Sequence, residues 1–299
     1  MDRVLFGDNQ FFGVNHMSED KARAQAMKFQ DLRAIIDVLD AAYTEGIRTF
    51  MCTTHDRVAE VCDYFRSNSA KYPDYRFYPC MPYAHKYANA ATEHGIVEAL
   101  RRFLPQDGAL SGMLKAGKAL AAKDIEGILQ LLVDAEMKMF HGLSTPVVFL
   151  QNVIVDLLLG LRLDEVFRMF SDHVREKYDA EPGFITMNLP HMLDALERQG
   201  IENPIVCSNI NKIGFRMCGG VDEYERVIAQ RRFRPIAMSV LASGALQPRE
   251  AIDYICQQPR IESIVFGASG RTNIRQTKGL IDELSRQPEP LDLPTGERL

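Results

Sequence analysis

The 299-residue chain has no tryptophan, no Cys-x-x-Cys pair and no apolar run near the ~18 residues that a membrane-spanning helix needs. Its start carries no basic segment followed by an apolar one, so no secretory leader is read there. The six cysteines lie scattered at positions 52, 62, 80, 207, 218 and 256, and Cys52, Cys80 and Cys207 fall inside apolar, strand-like runs. That pattern suits reduced thiols in a cytoplasmic protein and not a disulfide framework. Positive charge is also scarce. Lys and Arg number 35 against 40 Asp and Glu, and a net charge of −5 gives no electrostatic reason to expect a nucleic acid or an anionic membrane as partner. The phosphate fingerprint G-x-G-x-x-G is missing after the first apolar run, which argues against an open doubly wound sheet.

What the chain does have is alternation. Short apolar runs read as strands over 3–7, 48–53, 76–81, 146–151, 183–188, 204–208, 235–241 and 261–266. Helical periodicity lies between them, over 31–45, 58–67, 96–104, 124–140, 164–178, 191–199, 222–231, 249–257 and 273–285. An apolar stretch from Val153 to Leu161, broken by Asp156, reads as a buried helix. Parallel neighbours need a helical crossover, so eight strand-helix units in series predict a single-domain α/β protein, a (β/α)8 TIM barrel over 1–286. A Gly-containing insertion interrupts it near 107–123, and a Pro-rich tail over 287–299 reads as loosely ordered.

Barrels of this kind carry their sites on the loops that follow the strands. Those loops hold Asp8, Asn9, Gln10, Asn15 and His16 after the first strand, and Thr53, Thr54, His55 and Asp56 after the second. Tyr83, His85 and Lys86 follow the third strand, Gln151 and Asn152 the fourth, Asn188 and His191 the fifth, and Ser208, Asn209, Asn211 and Lys212 the sixth. Four of the seven histidines are among them. His191, beginning a helix after Pro190, reads equally as a surface or capping residue. His55 and His85, on adjacent strands, read as an acid/base pair or as packed side chains. No H-x-H or H-E-x-x-H spacing points to a metal, although a divalent ion stays open as an alternative. Lys212 or Lys86, if desolvated, could form a Schiff base; as solvated groups they would bind an anionic substrate by charge.

The last two strands end in small residues: Leu241, Ala242, Ser243 and Gly244, then Gly267, Ala268, Ser269, Gly270 and Arg271. Small residues let backbone N–H groups approach a phosphate, and Asn273 is placed to cap the last helix beside it. The simpler alternative is that these glycines only make tight turns.

On those residues the chain resembles the aldo-keto reductases. Ser239-Val240-Leu241-Ala242-Ser243-Gly244-Ala245-Leu246 is similar to the family's SPLAxGxL segment around the cofactor pyrophosphate. Gly267-Ala268-Ser269 with Asn273, Arg275, Gln276 and Thr277 resembles its adenosine-binding end, and Cys207-Ser208-Asn209 resembles the strand end whose Ser and Asn face the nicotinamide amide. Here that last motif closes the sixth strand, whereas the family has it after the fifth. The resemblance implies NADP or NAD as cofactor, with Ser208, Asn209, Leu241, Ser243, Gly244, Gly267, Ser269, Arg271, Asn273 and Gln276 holding it. It also implies an Asp/Tyr/Lys/His tetrad that this chain lacks. The Asp position is Cys52, no Y-G-x-x-E follows, the Lys position falls on Met81 or Pro82, and the His position on Gln151 or Asn188. The leading expectation is reduction of a small polar carbonyl compound by NAD(P)H with a non-standard acid, Tyr83 or His85, supported by Lys86 in a relay that His55 could join. Two alternatives stand beside it. One is isomerase or carbon–carbon lyase chemistry on a phosphorylated, sugar-like substrate through His55, His85 and Lys212. The other is a catalytically silent nucleotide-binding barrel acting as a sensor or partner subunit.

Overall fold

The computed structural model describes residues 1–13, 19–83, 125–258 and 260–285. Eight parallel strands close on one another in chain order: β1 (Val4–Phe6), β2 (Thr49–Thr53), β3 (Arg76–Met81), β4 (Val147–Leu150), β5 (Glu181–Thr186), β6 (Ile205–Asn209), β7 (Arg234–Met238) and β8 (Ser263–Phe266). Closure is the pairing of β1 with β8, Val4 opposite Ile264 and Phe6 opposite Phe266. The helices are α1 (Glu19–Lys28), α2 (Leu32–Thr44), α3 (Asp56–Ser67), α4 (Ile125–Met137), α5 (Asn152–Leu161), α6 (Glu165–Tyr178), α7 (Leu189–Arg198), α8 (Val221–Gln230), α9 (Pro248–Gln257) and α10 (Arg271–Leu284). The (β/α)8 architecture is therefore as the alternation indicated. The expected helix over 96–104, the insertion near 107–123 and the tail over 287–299 lie outside the described residues.

Side-chain alternation along each strand builds two apolar layers. One set fills the barrel, with Leu5, Met51, Tyr78, Phe149, Ile205 and Ile236 meeting on the axis. The other set, including Phe6, Phe50, Phe77, Val148, Phe184 and Val206, packs outward under the helices. Gly183 belongs to the first layer: a Cβ there would lie 2.3 Å from the Phe149 ring, so its lack of a side chain is what lets Phe149 fill the axis.

Three local expectations are corrected. α5 is half-buried, not buried. Val155, Leu158 and Leu159 face inward, while Val153, Leu157 and Leu161 are 48%, 56% and 59% exposed. β7 stops at Met238 instead of Leu241 because Ser239 turns to φ +54° and leaves the strand. β5 begins earlier and ends at Thr186, where Asn188 then caps α7 by accepting from the His191 N–H.

Candidate active site at the barrel mouth

The C-terminal strand ends open on a cavity of about 370 Å³. Asp8 and Asn9 line it after β1, Met51 and Thr53 on β2, Cys80 on β3, Gln151 and Asn152 after β4, and Ile185 and Cys207 on β5 and β6. The far wall is Met238 with the loop Ser239–Gly244, and Val265 to Gly267 completes the ring. These positions follow from strand parity: Met51 and Thr53, like Cys80 and Cys207, are inward residues of their strands.

On the β1–β3 side the groups are held by side-chain hydrogen bonds. Asp8, 6% exposed, accepts through Oδ2 from both the Thr53 N–H and the Thr53 hydroxyl, each at 2.7 Å. Burial pushes its carboxyl above the ordinary carboxylate range, and the two Thr53 donors draw it part of the way back. Glu136, 2% exposed near the end of α4, accepts from the Thr54 hydroxyl and from the Tyr83 N–H at 3.2 Å, and so ties the end of β2 to the end of β3. His55 caps α3, its Nδ1 accepting from the Arg57 N–H at 3.1 Å. Its ring stacks on Phe12 at 4.3 Å and meets Tyr83 edge-on at 5.6 Å. The Met81–Pro82 peptide between them is cis.

The β7–β8 side is built from backbone. Ser239, Ala242, Ser243 and Gly244 all have φ between +46° and +93°, a conformation that costs a side-chain-bearing residue about 1–2 kcal/mol. Ala242 N–H and Gly244 N–H donate to the carbonyls of Ser239 and Leu241, each at 2.8 Å, which holds the turn tight. Gly267 has a different reason for being glycine from the one expected. A Cβ there would lie 1.9 Å from Gln10 Oε1, because the Gln10 side chain, tied by Nε2 to the Gly7 carbonyl at 2.7 Å, occupies that space.

Of the residues singled out by the sequence, the cavity brings together Leu241, Ser243, Gly244 and Gly267 with Asp8, Thr53 and Gln151. Tyr83 and His55 stand behind that ring as an aromatic pair. His85, Lys86, Asn15 and His16 lie outside the described residues.

The other described residues singled out for a cofactor or a lysine intermediate are not among those lining the cavity. Lys212 is not desolvated: half-exposed, it pairs with Glu250 at 2.8 Å, which removes the premise of a Schiff-base lysine. Ser208 is the outward residue of β6, fully buried, its hydroxyl donating to the Thr186 carbonyl at 2.9 Å. Asn209 donates to the Arg216 carbonyl at 3.0 Å. All eight strands exist, so the mismatch with the family's fifth strand is a slip of the motif and not a miscounted strand. Asn273 does not cap the last helix, which starts two residues earlier at Arg271 with Gly270 before it. Arg271 and Arg275 both reach Glu45, at 3.5 and 3.1 Å, and Asn273 and Gln276 are exposed. Ser269 gives its carbonyl to Lys28.

Sequence reasoning missed Glu136 altogether. Its partners are 53 and 82 residues away, and nothing in its local pattern marks it. Asn211 was seen only as a loop residue; buried, it staples the turn after β6 by two bonds to Phe215 at 2.8 and 2.9 Å. Among the described residues no group of three or more His, Cys, Asp or Glu is arranged to hold a metal ion. Nor is any helix among them long and apolar enough to cross a membrane.

No family model matches the sequence, and no curated protein matches it. Solved structures do match. A protein of Pseudomonas aeruginosa assigned to the aldo-keto reductases superposes with a TM-score of 0.59 at 11% identity, over 95% of this chain and 92% of that one. The glycerol dehydrogenase of Gluconobacter oxydans does so at 0.53 and 10% identity, over 100% and 96%. A protein assigned as 2,5-diketo-D-gluconic acid reductase B gives 0.52 at 11%, over 99% and 94%. At these identities the likeness speaks for the fold, and the fold of this chain is an aldo-keto-reductase-like (β/α)8 barrel.

Proposed function

We propose that the protein is an oxidoreductase that reduces a small, neutral, polar carbonyl compound at the barrel mouth with NAD(P)H. The observation that carries this reading is the cavity itself. It joins a buried carboxyl to a tight, small-residue loop, inside a fold shared with a glycerol dehydrogenase.

Charge limits the substrate. Among the described residues that line the cavity there is no Lys, Arg or His; the ionisable groups are Asp8 and the thiols Cys80 and Cys207. Beside the Asp8 carboxyl, a carboxylate or phosphate would find no cationic side chain among the described lining residues and would lose its hydration. A neutral molecule with hydroxyl groups finds acceptors and donors in Thr53, Gln151 and Asn152, against apolar walls from Met51, Ile185 and Val265.

The cofactor fits in part. The loop Ser239–Gly244 and the edge at Gly267 offer small residues that let a pyrophosphate come close, while the Ala242 and Gly244 N–H groups are already bonded within the turn. Ser208, by contrast, faces outward with its hydroxyl on the Thr186 carbonyl, and Asn209 has an amide N–H on the Arg216 carbonyl, an arrangement that does not favour the nicotinamide amide contacts the resemblance implies. When bound, a reduced nicotinamide supplies hydride. The chain's own residues hold the carbonyl compound against β1–β4, shut out water with the apolar wall and deliver a proton.

The test is a fluorescence titration with NADPH and NADH, which the absence of tryptophan simplifies. Saturable binding with a blue-shifted nicotinamide emission is the expected result. No binding of either dinucleotide overturns the redox reading.

The position of Ser208 and Asn209 favours one second reading, a non-redox enzyme whose substrate phosphate sits on the same late loops. Protection of the protein by inorganic phosphate but not by NADPH would select it.

A further inference from the structure

The reductase reading lacks an acid, because the family's tyrosine position is unfilled. We propose that Asp8 is that acid, a catalytic residue that passes its carboxyl proton to the oxygen of the bound carbonyl compound. The inference rests on the reading above and adds to it the group that moves the proton.

Geometry singles Asp8 out. It follows β1, lines the cavity, and is the only carboxyl among the described lining residues. Thr53 fixes it at one oxygen: N–H and hydroxyl both donate to Oδ2, which fills that atom's two lone-pair directions. A proton on this carboxyl therefore rides on Oδ1. Thr53 also prepares the site for what is left behind, since two donors aimed at one oxygen stabilise the carboxylate more than the acid.

The titratable groups facing Asp8 are Cys52 on β2, Cys80 on β3 and Tyr83 beyond it. Burial raises all three, which favours their neutral forms, so they put no charge beside Asp8. The same shift has opposite meanings for the two rival acids. Raising a carboxyl moves its titration toward neutral pH, the direction that suits a general acid. Raising the Tyr83 hydroxyl, chiefly through burial, makes it a poorer donor. Tyr83 also stands outside the ring of lining residues.

The step balances simply. The carbonyl carbon gains a hydride from the reduced nicotinamide, which is thereby oxidised by two electrons. The C=O π pair moves onto oxygen, the Asp8 O–H bond breaks, and the new O–H bond completes an alcohol. Asp8 is left as the carboxylate and regains its proton from water at the open mouth.

The experiment compares the full-length protein with Asp8→Asn, Thr53→Val and Tyr83→Phe. Difference infrared spectra titrated with pH read the carboxyl directly, and turnover of glyceraldehyde with NADPH reads the chemistry. The wild type should show a protonated-carboxyl band that disappears only above the ordinary carboxylate range. Asp8→Asn should remove that band and lower kcat by about 10²–10⁴-fold, while NADPH affinity stays within about twofold, a difference of ~0.4 kcal/mol or less. Thr53→Val removes one donor to the carboxylate, so it should move both the band and the basic limb of the kcat–pH profile to higher pH. A band unchanged in Asp8→Asn, or turnover that survives Asp8→Asn but is lost in Tyr83→Phe, overturns the proposal. Failure of NADPH to bind sinks the redox reading instead, and the infrared arm still decides whether Asp8 carries the proton.

Discussion

The two halves of the barrel mouth are built on different principles. On the β1–β3 side, position is fixed by side-chain bonds: Asp8 to Thr53, Thr54 to Glu136, and the Glu136 carboxylate to the Tyr83 backbone N–H. On the β7–β8 side, position is fixed by backbone in a costly conformation, with small residues and, among those lining the cavity, no ionisable side chain. A wall of bonded, buried polar groups can hold and move a proton, because burial tunes its titration. A wall of turned backbone can meet a ligand closely and stay rigid, but it has no proton to give. The contrast assigns chemistry to the first wall and binding to the second.

Substitutions on each wall should therefore fail in different ways. The largest effect is expected for Asp8→Asn, which should cost turnover and yet not cost stability. A carboxyl whose folded-state pKa is raised loses stability as pH climbs from the unfolded to the folded value, so at neutral pH wild-type Asp8 is a liability that Asn removes. Thermal melts at neutral pH should show the variant equal to or above wild type, with the gap closing in acid. A clear drop at neutral pH would contradict this.

Gly267→Ala comes next. The new Cβ meets the anchored Gln10 carboxamide, and relief of that overlap should cost about 1–3 kcal/mol in denaturant unfolding. Adding Gln10→Ala should restore much of the loss; if it does not, the clash is not the cause.

Ser243→Gly should go the other way. Releasing a side chain at φ +58° should stabilise the fold by up to ~1 kcal/mol while weakening dinucleotide binding, because the turn is then less rigid. Tighter binding in this variant would break the assignment of rigidity to the β7–β8 wall. The smallest effect belongs to Lys212→Ala. Its exposed pair with Glu250 is worth about 0–1 kcal/mol, and turnover should not change.

Much of this was legible in the sequence, for identifiable reasons. Strand positions came through because inward and outward residues are both apolar, so each strand shows as an apolar run between helical periods. Leu241, Ser243 and Gly244 could be placed at the mouth because small residues after a strand are rare enough to stand out. What failed was orientation. Ser208 looked like a cofactor contact until strand parity turned it outward, one position after the inward Cys207. Asn273 looked like a cap because the helix start was read two residues late. Glu136 could not be found at all, because its function resides in partners that only the fold brings near. Asp8 was visible as a mouth residue, but its weight comes from burial, which no local pattern encodes.

The cysteines give the molecule a set of built-in clocks. Cys218 is exposed and should take up a thiol reagent at once, and Cys256 is intermediate. Cys52 and Cys62 are sealed between strands and helices, and burial raises Cys62 to about 12, so their labelling should wait for the barrel to open. Cys80 differs from both pairs, because it is buried at 5% exposure but its neighbour is the mouth cavity. A molecule seated there would cover Cys80. One labelling time course, followed residue by residue by mass spectrometry, would thus separate the surface from the opening of the fold, and both from occupancy of the mouth.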